Sequence, residues 1–295
     1  METEKPIAAA TLGRRATVTV GLAAAGFVVL WAVFIRTEWG RLLGDRVYDD
    51  RSVASVRAQA LANESLRTVT VVTLFGACVL FLVVAVVRRR FLLGVVAVGA
   101  VVGAAVSAEV LKRFVISRPP TPGESGHLAA NWFPSGHATI VTAIGLAAVM
   151  VTPHRWRRWT VVVAALWVSF QCAGTLVAGW HRPSDAVAGE LLALCWGGVG
   201  VIVLAGLGRV APDHTEDRSA ATTSWLVLGT LVVALAGIVF VVPTNAGAVE
   251  TGNRLPFVVA LAGIDAVAVL VVWWWWRLLA PWRLDGPGTR TARHR

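Results

Sequence analysis

Eight apolar runs constrain what this 295-residue chain can fold into more than any other feature. They lie at approximately 16–35, 68–87, 91–111, 137–152, 159–179, 185–207, 225–242 and 255–276. About 20 uncharged residues cross the hydrocarbon core of a bilayer, and a helix satisfies its own backbone there. The composition agrees, with 56% hydrophobic and only 15% charged residues, less charge than a soluble domain carries. The expected fold is therefore all-α, a polytopic transmembrane bundle of about eight spans. The fourth run is short and is expected to extend by a turn into its flanks. The first follows Lys5, Arg14 and Arg15 as a signal peptide would, but it is too long and ends in Phe34-Ile35-Arg36 without a cleavage site, so it is expected to stay attached.

The net charge of +10 would suggest nucleic acid in a soluble protein. Here the arginines sit at the ends of apolar runs, which points to topology and anionic headgroups and leaves no nucleic-acid partner. An even number of spans puts both termini on one side. Counted over alternate segments, sixteen of the 27 Lys and Arg share the side of the termini, and the short links Arg88-Arg89-Arg90 and His154-Arg155-Trp156-Arg157-Arg158 are almost purely basic. The positive-inside rule then makes both termini cytoplasmic in a plasma-membrane protein. His154, His214 and His294 fall on that side, away from any site. Trp273, Trp274, Trp275 and Trp276 read as an interfacial anchor there. Gly99 and Gly103 read as a small-xxx-small helix contact. The segment 37–67 is charged and mildly amphipathic; it either lies on the outer surface or covers a site, and composition leaves both open. Cys78, Cys172 and Cys195 lie inside apolar runs and are expected to be packed free thiols.

With this topology, three polar clusters share the extracytoplasmic face. Lys112-Arg113 to Arg118-Pro119 follows the third span, Pro134-Ser135-Gly136-His137 opens the fourth, and His181-Arg182-Pro183-Ser184-Asp185 separates the fifth from the sixth. The short cytoplasmic turn between spans four and five makes them antiparallel neighbours, which carries His137 and His181 to one end of a hairpin. Lys112, Arg113 and Arg118 can neutralise a phosphate dianion. The turn at Ser135 and Gly136 offers a helix cap, backbone donors and, in His137, an acid/base group. Asp185, about one turn beyond His181, can accept from one imidazole nitrogen and leave the other as a nucleophile. Such a set suits phosphoryl transfer in two steps. Each residue also has a plainer reading: snorkelling for the cations, capping for Ser135, a solvated loop for His127. Glu109, at helical spacing from Lys112 and Arg113, reads as their ion-pair partner.

Pro134-Ser135-Gly136-His137, with an upstream Lys…Arg-Pro and a downstream His-x-x-x-Asp, resembles the type 2 phosphatidic acid phosphatase superfamily, in its membrane phosphatase branch. That superfamily shares its fold with vanadium haloperoxidases. The resemblance covers roughly residues 66–207. It implies a phosphatase that needs no metal or other cofactor. His181 would attack phosphorus and form a phosphohistidine, Asp185 would orient it, and His137 would protonate the leaving oxygen and later activate water. Lys112, Arg118, Ser135 and Gly136 would hold the phosphate oxygens. Two positions depart from the pattern. Five residues rather than six separate Lys112 from Arg118, and Gly174-Thr175 stand where the family carries Ser-Arg. Arg182 or Arg113 is then expected to supply the missing charge. The implied substrate is an outer-leaflet lipid bearing a phosphomonoester or pyrophosphate, such as phosphatidate, phosphatidylglycerophosphate or a polyprenyl (pyro)phosphate. A vanadate-dependent haloperoxidase and a non-catalytic lipid-phosphate binding or transport protein are the alternatives. The expected division is a cytoplasmic segment 1–15, a core 16–207 with its motifs at 112–185, a cytoplasmic loop 208–224, two further spans at 225–276 and a basic tail 277–295.

Overall fold

A computed structural model describes residues 4–119, 130–212, 220–242 and 254–284. The described residues form ten α-helices: α1 (Glu4–Trp31), α2 (Glu38–Asp49), α3 (Val56–Arg67), α4 (Val71–Val87), α5 (Phe91–Val110), α6 (Gly136–Val151), α7 (His154–Val177), α8 (Pro183–Gly206), α9 (Ala220–Val241) and α10 (Arg254–Leu279). Short π turns, Ala32–Arg36 and Leu111–Val115, continue α1 and α5. A two-stranded antiparallel ladder, β1 (Val210–Pro212) with β2 (Trp282–Leu284), pairs Val210 with Leu284. His127, His214, His294 and the tail from residue 285 lie outside the described residues.

Among the described residues, six helices are long and apolar enough to cross a membrane, and the bent pair α3–α4, 58° at its break, makes a seventh. α6 is an eighth, shorter apolar helix of 16 residues. All eight apolar runs are thus helical, and the chain is a multi-pass helical membrane protein. The expected lengthening of the fourth run does not occur. α6 is capped by Ser135 and stops before Thr152-Pro153, because the residue before a proline is driven out of the helical region. It can be short because it meets protein more than lipid: Ala138, Val141, Leu146, Val149 and Met150 are all buried against neighbouring helices.

Close contacts between small residues and rings set the packing. A β-carbon on Gly103 would stand 2.6 Å from the Trp196 ring of α8, whereas Gly99 has open space, so the small-xxx-small pair reduces to one glycine. The tryptophan run is a second correction. Consecutive helical residues are about 100° apart, so four in a row cannot all face a headgroup belt. Trp275 and Trp276 are fully buried; the Trp275 indole donates to Leu146 O at 2.9 Å and its ring packs on Gly197. Trp274 donates to Thr19 Oγ1 at 3.0 Å and ties α10 to α1. The basic links also do more than face headgroups. Arg88 donates to Val151 O, Arg90 to Leu284 O, and buried Arg157 reaches Leu279 O and Trp282 O, so cations meet the carbonyl ends of α6 and α10. Cys78, Cys172 and Cys195 are free thiols.

The segment 37–67 forms α2 and α3. Thr37 caps α2 by accepting from Gly40 N, and Ser55 caps α3 by accepting from Ala58 N. α2 folds over the end of the bundle where the polar clusters meet.

Candidate active site

The first turn of α6 is the centre of the site. Ser135 caps it, its Oγ accepting from Ala138 N at 3.2 Å, and is fully buried. Its own N–H donates to Asp185 O at 2.8 Å, which ties this turn to the start of α8. Gly189, one turn farther along α8, makes the close approach possible: a β-carbon there would fall 2.7 Å from Ser135 O and 2.9 Å from Thr139 N. At Gly136, Lys112 Nζ lies 3.5 Å and Glu109 Oε1 3.2 Å from where a β-carbon would stand. A lysine is therefore held at a helix N-terminus, where the dipole also favours an anion.

His137 packs edge-on against Trp180, ring centroids 4.9 Å apart, and lies within electrostatic reach of His181 and Lys112. His181 is buried and edge-on to Trp132 at 6.1 Å. The two histidines thus meet at one end of the bundle, each beside a tryptophan. Asp185 stands differently from expectation. Its Oδ2 is 3.7 Å from His181 Nδ1, beyond hydrogen-bonding distance, and accepts instead from Arg182 N at 3.1 Å. The reason is local: Arg182 is the N-cap of α8, Pro183 occupies the first turn, and Asp185 at the third position reaches back to the cap N–H. The carboxylate still faces Nδ1, which leaves Nε2 as the nitrogen pointing away from it.

The cations divide between two carboxylates. Glu109 takes Lys112 at 3.1 Å and Arg113 at 2.9 Å, as their i, i+3 and i, i+4 spacing requires. Arg113 lies on the outer side of this pair with a side chain 69% exposed, and it is not drawn into the cluster. The short spacing between Lys112 and Arg118 coincides with the π turn Leu111–Val115, where Ile116 N bonds back to Leu111 O. Asn131 secures that turn by donating to Lys112 O and Ile116 O.

Asp45 of α2 holds the other two cations. Arg118 reaches both its oxygens, at 2.9 and 2.7 Å, and Arg182 Nε donates to Oδ1; the arginine side chains are only 2% and 5% exposed. Arg182 is thereby brought beside Arg118 and next to His181. At Thr175, where the resemblance leads one to expect an arginine, the side chain turns back to Cys172 O and the carbonyl accepts from Trp180 N and His181 N. Two further contacts, from Tyr48 of α2 and Arg51 just beyond it, close the site. Tyr48 donates to Gly179 O at 2.6 Å, Gly179 holding a positive φ of 71°. Burial pushes the Tyr48 phenol up, against the opposing pull of Arg51 and Arg182, so it stays a donor. The Arg51 guanidinium lies 4.1 Å from the Tyr48 ring centroid.

Asp45, Tyr48, Asn131 and Trp180 are the site residues that reading the sequence missed. The cap at Thr37 and the apolar spacing of Leu43, Val47 and Tyr48 mark α2 as an amphipathic helix, but nothing local marks what its inner face meets. Among the described residues no group of three or more His, Cys, Asp or Glu is arranged to hold a metal ion. A phosphate between Lys112, Arg118, Arg182 and the first N–H groups of α6 would have imidazoles available for attack and for proton transfer.

The family model described as the PAP2 superfamily matches residues 93–209. A curated relative named lipid A 1-phosphatase, from Rhizobium johnstonii (strain DSM 114642 / LMG 32736 / 3841), is 34% identical over 92 residues, 30% of this chain. The alignment spans 36% of that relative's length, little more than a third. No solved structure matches the chain. The motifs at 112–118, 134–137 and 181–185 all fall within the matched segment, and through residues 93–209 the chain is similar to the PAP2 superfamily.

Proposed function

We propose that this protein is an integral membrane phosphatase that hydrolyses a lipid phosphomonoester or pyrophosphate at the extracytoplasmic face, through a phosphohistidine and without a metal. The observation that carries the reading is the meeting of His137 and His181 beside buried Arg118 and Arg182 at the N-terminal end of α6. The similarity to a relative named lipid A 1-phosphatase and the match of residues 93–209 to the PAP2 superfamily support phosphatase chemistry on a lipid. Phosphatidate, phosphatidylglycerophosphate and polyprenyl (pyro)phosphates are the candidate substrate classes.

In the first step His181 Nε2 attacks phosphorus. An N–P bond forms, the ester P–O bond breaks, and the leaving oxygen takes a proton from His137. In the second, water loses a proton to His137 and attacks the phosphohistidine, releasing phosphate and free imidazole. Asp185, facing Nδ1, stabilises the charge that develops on His181. Arg118, Arg182, Lys112 and the backbone N–H groups opening α6 hold the equatorial oxygens, where negative charge is greatest. Arg182 supplies the charge that an arginine at position 175 would bring.

The test is phosphate release by purified protein in detergent with EDTA across these lipid classes. Wild type releases phosphate from at least one class, and His181→Ala lowers the rate by roughly 10³-fold or more. His137→Ala lowers it by about 10²–10⁴-fold, the range of a lost general acid/base. Wild-type protein that releases nothing from any class, or whose release requires a metal, overturns the proposal.

A further inference from the structure

A cavity of about 710 Å³ lies between α3, α7, α9 and α10, walled almost wholly by apolar side chains. On α7 it runs from Leu166 to Val177, about 16 Å at 1.5 Å per residue. That is close to half of the roughly 30 Å hydrocarbon core, the depth of one leaflet. Phe170 and Phe240 on its rim are exposed, so the cavity opens sideways toward lipid rather than only upward. Its inner end carries Asp265, which accepts from Ser169, so this carboxyl is hydrogen-bonded rather than bare toward the hydrocarbon space. At the opposite end Ser55 N donates to Val241 O, seating α3 on the end of α9, and exposed Arg57 places a cation at the mouth.

This mouth adjoins the candidate active site. Gly174 lines the cavity, and the next residue, Thr175, accepts the N–H groups of Trp180 and His181. Trp180 in turn donates to Asn63 of α3 at 2.8 Å while its ring packs on His137. The end of α7 therefore serves both as cavity wall and as scaffold for the histidines, and the Trp180–Asn63 pair ties α3 to them. α9 and α10, which close the cavity, lie outside the matched segment 93–209.

We propose that this cavity takes one hydrocarbon tail of the lipid whose phosphate is cleaved at His181, so that the two spans after the family segment set a preference for tail length. The inference rests on the proposed function and names where its substrate's tail is held. A single-leaflet depth, an open side, a cation at the mouth and a shared wall with the site fit a tail from a lipid in the leaflet of the site.

The test uses two glycines of α9, each with open space within 4 Å of where a β-carbon would stand: Gly237 lines the cavity and Gly229 does not. Gly237→Phe fills the space without a backbone clash, and Gly229→Phe is the matched control. With long-chain phosphatidate, Gly237→Phe raises KM by about tenfold, as expected for losing burial of about two methylenes. With a short-chain, water-soluble homologue it changes little, and Gly229→Phe changes neither. An unchanged KM for the long-chain lipid, or an equal change for both, overturns the proposal. A readout independent of turnover uses phosphatidate carrying a photoreactive group on its tail. Adducts map to cavity residues of α7 and α9, are lost in Gly237→Phe, and are competed by unlabelled phosphatidate but not by phosphatidylcholine of the same tails. Adducts elsewhere, or equal competition by phosphatidylcholine, overturn it. If no lipid phosphate is hydrolysed, the proposed function fails, and the cross-link pattern still decides whether the cavity holds a lipid-phosphate tail.

Discussion

At Asp45 one carboxylate meets two guanidiniums, those of Arg118 and Arg182, in a site from which water is largely excluded. Two like charges this close and this buried repel strongly unless an anion stands between them. Asp45→Asn keeps the shape and removes the anion, leaving the arginines facing one another. The expected result is a loss of about 3 kcal/mol of stability, the usual cost of deleting one partner of a buried ion pair. Thermal unfolding in detergent checks it, and the same variant regains part of its melting temperature when orthovanadate or phosphate is added, because either anion can take the carboxylate's place. An unchanged melting temperature would show that the trio is relaxed. The four positively charged candidates were legible as residues, but not their division: Glu109 takes Lys112 and Arg113 through spacing along one helix, whereas Asp45 takes Arg118 and Arg182 from 73 and 137 residues away.

At the scale of elements, the site depends on how closely α6 and α8 approach. Both helices open with a motif, and the bond from Ser135 N to Asp185 O sets one against the other. Gly189 permits this, since a methyl group would strike Ser135 O and the Thr139 backbone. Gly189→Ala is therefore expected to push the helices apart by a few tenths of an ångström or more and cost about 1–3 kcal/mol, as overpacking does. Phosphate release by this variant falls with long-chain and short-chain substrates alike, which separates it from Gly237→Phe. A Gly189→Ala protein with wild-type turnover and melting temperature would refute this account of the approach. The helix starts at Ser135 and Pro183 were readable because capping is decided within one turn. The extent of α6 was not, because its length is set by Pro153 and by neighbours that shield it from lipid. For the same reason the tryptophan run divided, Trp275 and Trp276 turning inward to fill space beside Gly197 and Leu146.

For the whole molecule, the proposed orientation has a direct test. Ser117 is exposed at the end of the bundle that carries the site and Arg89 is exposed in the link between α4 and α5. With Ser117→Cys, a membrane-impermeant thiol reagent labels intact cells; with Arg89→Cys it labels only after permeabilisation. The native thiols give little background, since Cys78 and Cys172 are buried and Cys195 is partly so. The reverse pattern would put the site in the cytoplasm and overturn the leaflet assignment.

The sequence by itself determined that this chain is a bundle of apolar helices, and where three polar motifs punctuate it. Both follow from short-range physics: hydrocarbon admits only backbones that bond to themselves, and charges collect where a span ends. Tertiary structure alone decided that α2 closes over the site, that Asp45 gathers Arg118 and Arg182, and that α9 and α10 enclose a tail-sized cavity beside it. Those outcomes depend on contacts between residues many tens of positions apart, and neither the spacing nor the hydropathy of any one segment carries that information.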